Sequence, residues 1–108
     1  MKTTLTIEES ARLISLGVNP KMASEETFIL DKVFTLTDIL SILPKEIDGY
    51  HLSIEATSQG YEVSYMLWDC GDEAYHFMGA TERPELIDAL NQLAIYCLEN
   101  NHIKTEKK

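Results

Sequence analysis

A chain of 108 residues, 44% of them hydrophobic, is the size of one domain, and such a domain buries about two-thirds of its unfolded surface without a metal or a disulfide. It carries 18 acidic against nine basic residues, and three of the bases (Lys104, Lys107 and Lys108) fall in the last five positions. Between Thr3 and Ile103 the balance is 17 to five, too few cations to displace counterions from phosphates, so direct binding to nucleic acid or to an anionic membrane is not expected.

The first element is a helix opened by Thr6 and Glu9, the capping-box spacing in which each side chain satisfies a free backbone donor. It carries Ala11, Leu13, Ile14 and Leu16, and Gly17 with Asn19-Pro20 should stop it. Residues 21–24 suit a short helical turn. Glu25 to Phe34 reads as extended, with room for one short edge strand, although Asp31-Lys32 interrupts the alternation. Thr35-Leu36-Thr37-Asp38 opens a second helix with Leu36, Ile39, Leu40 and Leu43 on one face, ended by Pro44.

From Tyr50 to Ala80 the pattern changes to period two and predicts an antiparallel meander. Leu52, Ile54 and Ala56 form one face of its first strand. Tyr61, Val63, Tyr65 and Leu67 form the matching face of the second, with Glu62, Ser64, Met66 and Trp68 behind. A turn at Gln59-Gly60 pairs Ala56 with Val63, Ile54 with Tyr65 and Leu52 with Leu67, whereas a one-residue slip would set Ile54 against Ser64. The second turn has two solutions. A two-residue Gly71-Asp72 loop puts Tyr75 and Phe77 beside Trp68 and Met66, and a three-residue loop puts Ala74, His76 and Met78 there. Thr81 to Pro84 should open the last helix. Its broad stripe of Leu86, Ile87, Leu90, Leu93, Ala94, Cys97 and Leu98 is expected to cover the Leu52/Ile54/Leu67 face, with Asp88, Asn91, Gln92 and Glu99 in water.

Chemistry-bearing motifs are sparse. Cys70 and Cys97 sit in no CxxC or zinc spacing, so they read as free thiols in a reducing compartment. Cys97 belongs to the buried stripe, and the acids beside Cys70 oppose thiolate formation. The five glycines form no phosphate cradle, and no serine lies in a nucleophile elbow. Asp69-Cys70-Gly71-Asp72-Glu73 with His76 is the one dense set of ligand types. Acids around a glycine are also what an ordinary turn is made of, and no metal ligand is assigned. No apolar leader follows Lys2, and no stretch nears the ~20 residues of a bilayer span, so the expected location is cytoplasmic.

The run T-L-T-D-I-L-S-I-L-P-K-E-I from Thr35, the ending C-L-E-N-N-H-I-K from Cys97 and the opening L-T-I-E-E-S-A-R-L-I-S-L-G-V resemble a group of small proteins of gut Bacteroidetes and the phages or mobile elements they carry. That group has no assigned activity. The resemblance implies setting and size, and carries no residue roles.

The expected fold is α+β: a three-stranded meander with a possible fourth short edge strand, a C-terminal helix on one face and two N-terminal helices. It forms one domain over residues 1–103, with a basic tail over 104–108. The expected function is non-catalytic, an acidic module binding another protein through Trp68, Met66, Tyr75 and Phe77, with no cofactor and with a homodimer as one form of it. A special case is a decoy for a nucleic-acid-binding protein, which requires two rows of acids on one surface. Against the binding surface stands burial of Trp68 under the N-terminal helices or the Phe28–Val33 segment. The rival activity is a metal- or thiol-dependent enzyme using the Asp69–His76 hairpin.

Overall fold

The computed structural model describes residues 2–23, 25–26 and 32–103. Helix α1 spans Ile7–Ser15 and a 3-10 turn spans Pro20–Met22. Strands β1 (Glu25–Glu26) and β2 (Lys32–Val33) precede helix α2 (Leu36–Ile42). Strands β3 (Glu46–Ile47), β4 (Tyr50–Thr57), β5 (Gly60–Asp69) and β6 (Ala74–Arg83) lead into helix α3 (Leu86–Glu99). The fold is α+β, with β3 to β6 forming an antiparallel sheet in sequence order and β1 pairing with β2 separately. Among the described residues no helix is long and apolar enough to cross a membrane.

The starts of α1 and α2 follow their predicted chemistry. Thr6 and Glu9 form both bonds of a capping box, as do Thr35 and Asp38 at α2. Gly17, at a φ of 113°, takes the left-handed conformation that ends α1. On α2, Ile39 and Leu43 are buried but Leu40 is exposed, so the predicted face is rotated. The fourth strand of the sheet is not among the described residues of the Glu25–Phe34 stretch, where β1 and β2 pair with each other. It is Glu46–Ile47, joined to β4 by an Asp48-Gly49 turn in which both residues have positive φ, the geometry that suits the twist of a hairpin. Phe28 and Leu30 lie outside the described residues, as do Lys104, Lys107 and Lys108.

The meander keeps its predicted faces with a different register. The first hairpin turns at Ser58-Gln59, so Leu52 opposes Tyr65 and Ile54 opposes Val63, two residues from the expected pairing. A two-residue shift preserves which side each residue faces, and so the hydrophobic pattern does not distinguish it. The second hairpin takes the register of the two-residue loop: Trp68 opposes Tyr75 and Met66 opposes Phe77, with Cys70–Glu73 outside the ladder. Beyond Tyr65 the pairing slips by one. Gly79 and Ala80 together face Ser64, so residues after this bulge change sides.

Strand β6 therefore runs through Thr81 to Arg83, where a helix start was expected, because these residues pair with Tyr61 to Val63. Helix α3 begins after Pro84, with Glu85 as a cap residue that makes no side-chain cap bond. It lies over β5 and β6. Val63 and Tyr65 are fully buried beneath it, Leu52 and Leu67 are half-buried, and Ile54 on β4 remains 44% exposed. Coverage of the Leu52/Ile54/Leu67 face is thus displaced toward the other edge.

Helix α2 packs on α3, and Leu5, Leu13, Phe34 and Ile39 join the same core as Leu90 and Leu93. This second set of neighbours explains why Asn91, on the side expected in water, is buried along with Ala89. Asn91 is 3% exposed, and its Oδ1 has no hydrogen-bond partner among the described residues. Polar contacts close the assembly. Ser10 Oγ accepts the Phe34 N–H at 3.1 Å, and the Tyr65 hydroxyl donates to the Pro44 carbonyl at 2.7 Å. The Lys2 ammonium bridges Glu9 at 2.9 Å and Asp88 at 2.7 Å. Burial pushes the Glu9 carboxyl up, but the Thr6 N–H and the Lys2 ammonium outweigh it and hold the group below its ordinary range.

Gly79 is the seat of α3. Its φ is 70°, and a Cβ there would stand 2.8 Å from Tyr96 and 2.9 Å from Leu93. A Gly79→Ala variant combines left-handed strain with an overpacked contact, and chemical denaturation should show a loss of about 2–4 kcal/mol. An unchanged midpoint would mean that α3 does not sit on this glycine.

Candidate functional site

The side of the sheet away from α3 can be built row by row from the strand pairing. Tyr75 opposes Trp68, and their rings meet edge to face with centroids 4.8 Å apart. The next row runs Glu46, His51, Met66, Phe77 across four strands. Then come Ser53 and Ser64 beside the bulge, and beyond them Glu55, Glu62 and Glu82 stand directly opposite one another on three adjacent strands. Apolar groups on β5 and β6 occupy one end of this face, with Glu46 and His51 beside them on β3 and β4, and three opposed carboxylates occupy the other.

The apolar end is open. Trp68 is 48% exposed, Tyr75 53% and Phe77 57%, while Met66 is half-buried. The molecule measures 53 × 37 × 16 Å, and layers of secondary structure pack about 10 Å apart, so its short axis accommodates the sheet and one helical layer. Helices α1 and α2 join the core on the α3 side and leave Trp68 uncovered. The four predicted residues therefore come together as two cross-strand pairs. Sequence reasoning missed the carboxylate row. Its members align only after the two-residue shift of the first hairpin, which sets Glu55 against Glu62, and after the bulge, which turns Glu82 to this side.

The tip of the second hairpin gathers a different set. Asp69 Oδ1 accepts the backbone N–H of Gly71 at 2.8 Å and that of Asp72 at 3.3 Å, bonds that hold its carboxyl below the usual range. His76 Nε2 lies 3.3 Å from Asp69 Oδ2 and 3.1 Å from Asp72 Oδ2, and the ligand atoms of all three residues fall within 4.8 Å of one another. Convergence that spacing alone did not indicate is thus present. Cys70 and Glu73 are exposed, so the tip is a surface turn. His51 does not join it and pairs with Glu46 at 3.6 Å on the opposite side of the sheet.

The two thiols differ in reach. Cys97 is buried against Tyr65, and loss of solvent pushes its pKa up to about 11. An aromatic disulfide reagent at neutral pH should modify Cys70 within minutes and reach Cys97 only on unfolding. Two equally fast thiols in the native protein would contradict the packing of α3.

Comparison with family models, curated proteins and solved structures finds no match for this chain.

Proposed function

We propose that this protein is a non-catalytic acidic module that binds another protein through the outer face of its sheet, centred on Trp68, Met66, Tyr75 and Phe77. The observation that carries this reading is that three large aromatic side chains share one uncovered face. Contiguous apolar surface of this kind on a small domain commonly marks a contact, and tryptophan and tyrosine dominate the energy of such contacts. The β6 edge of the sheet is less suited to pairing. Strand β6 is broken by its bulge and ends in Glu82 and Arg83 with Pro84 next, features that blunt an edge. The decoy for a nucleic-acid-binding protein asks for two rows of acids, and the outer face carries one transverse row of three.

Because Trp68 is half in water, Trp68→Ala should cost the fold no more than about 1.5 kcal/mol, most of it the ring pair with Tyr75. The same variant should lose the partners retained by the wild-type protein in affinity capture. Unchanged retention by Trp68→Ala and Phe77→Ala together would end the reading.

The rival, a metal- or thiol-dependent enzyme on the Asp69–His76 hairpin, is favoured by the convergence of Asp69, Asp72 and His76. Thermal unfolding with added Zn²⁺ or Mn²⁺ separates the two. A rise in midpoint abolished by His76→Ala supports the metal version, and no rise in the wild-type protein disposes of it.

A further inference from the structure

We propose that the segment docked on the outer sheet face is cationic as well as apolar: its lysine or arginine side chains lie on Glu55, Glu62 and Glu82 while an aromatic or aliphatic anchor lies on the Trp68 patch. This rests on the reading above that the face binds protein, and it names the chemistry of the partner. Glu55 faces Glu62 and Glu62 faces Glu82 across the ladder. Like charges directly opposite are destabilising, with side chains about 5 Å apart. Among the described residues no lysine or arginine occupies an outward position of the sheet. Arg83, next in sequence, donates to the Glu82 carbonyl at 2.7 Å and makes no ion pair with the row. The hydroxyl of Thr57 donates to the Glu82 carboxylate but brings no charge. Among the described residues the row is therefore a fixed negative potential without a counter-charge, on the same surface as the aromatic patch.

A second copy of this chain is the wrong occupant. Its own outer face bears Glu46, Glu55, Glu62 and Glu82 against one histidine, so face-to-face pairing would bury carboxylates on aromatics within a molecule of net charge −9. A basic segment has no such conflict. The Met66–Phe77 row stands four residues along β5 from the glutamates and the Trp68–Tyr75 row six, roughly 13 and 20 Å. An extended segment bridges the shorter span with about four residues between anchor and cation, and a helical one with about nine.

The test uses the full chain and a random peptide library of about 16 residues displayed on phage, selected on the wild-type protein, with recovered peptides measured by fluorescence anisotropy. The recovered peptides are expected to combine an aromatic or aliphatic residue with at least two lysines or arginines. Their affinity should fall roughly tenfold or more in the E55Q/E62Q/E82Q variant, and steeply between about 50 and about 300 mM salt. The same variant should unfold about 2–5 °C higher, since the opposed charges are gone, which shows that lost binding is not lost folding. Peptides that bind the triple variant equally well overturn the cationic partner but leave the aromatic docking surface standing. Peptides indifferent to Trp68→Ala and Phe77→Ala, or a library with no enrichment, overturn both. An unchanged or lowered midpoint removes the uncompensated charge on which the proposal stands.

Discussion

Helix α3 can lie flat on this sheet because β6 breaks its pleat at Gly79. The missing side chain and the left-handed backbone let Leu93 and Tyr96 approach to distances that no Cβ would tolerate. That one close approach sets where the helix crosses, which strands it covers and which way the last residues of β6 face. Val63 and Tyr65 are buried because α3 sits above them, and Ile54 is left in water because it sits elsewhere. The bulge that admits the helix also carries Glu82 to the far side of the sheet, so packing on one face determines the charge pattern of the other.

The remainder of the chain works on the covered side. Helices α1 and α2, together with Leu5 and Phe34, give α3 a second buried surface, and the Lys2 ion pairs and Ser10 hydroxyl hold that layer to its neighbours. The second surface takes Asn91 out of water with Oδ1 unpaired among the described residues, a cost a solvated helix face would not bear. None of these described elements covers the outer face, where Trp68, Tyr75 and Phe77 stay exposed. An uncovered aromatic pair beside a row of opposed glutamates is unfavourable on both counts for an isolated domain, and natural proteins often give up stability in this way where a surface binds.

Much of the fold was legible in local chemistry. The Thr6/Glu9 and Thr35/Asp38 caps, the glycine stop at Gly17 and the alternation from Tyr50 onward each depend on neighbours within a few residues. The Asp48-Gly49 signal for a hairpin was equally present, and β3 is the strand it announces. The aromatic half of the candidate site was readable too, because parity along β5 and β6 puts Trp68, Met66, Tyr75 and Phe77 together in one of two hairpin registers. The carboxylate half was not. It depends on a shift of two in one ladder, to which a period-two pattern is blind, and a shift of one in the other.

By itself, the order of residues decided where α1 and α2 begin, which stretch alternates and which side chains share a side of β4 and β5, since these follow from backbone donors and a repeat of two or 3.6. Only the tertiary structure decided which side of the sheet is covered, how the strands are staggered and whether the glutamates meet. The stagger of β4 on β5 comes from the turn at Ser58-Gln59, while the bulge beside Gly79 turns Glu82 outward and the missing side chain there admits residues 14 and 17 positions later in the chain. Without that bulge Glu82 would face α3, and the acidic row beside the aromatic patch would not exist.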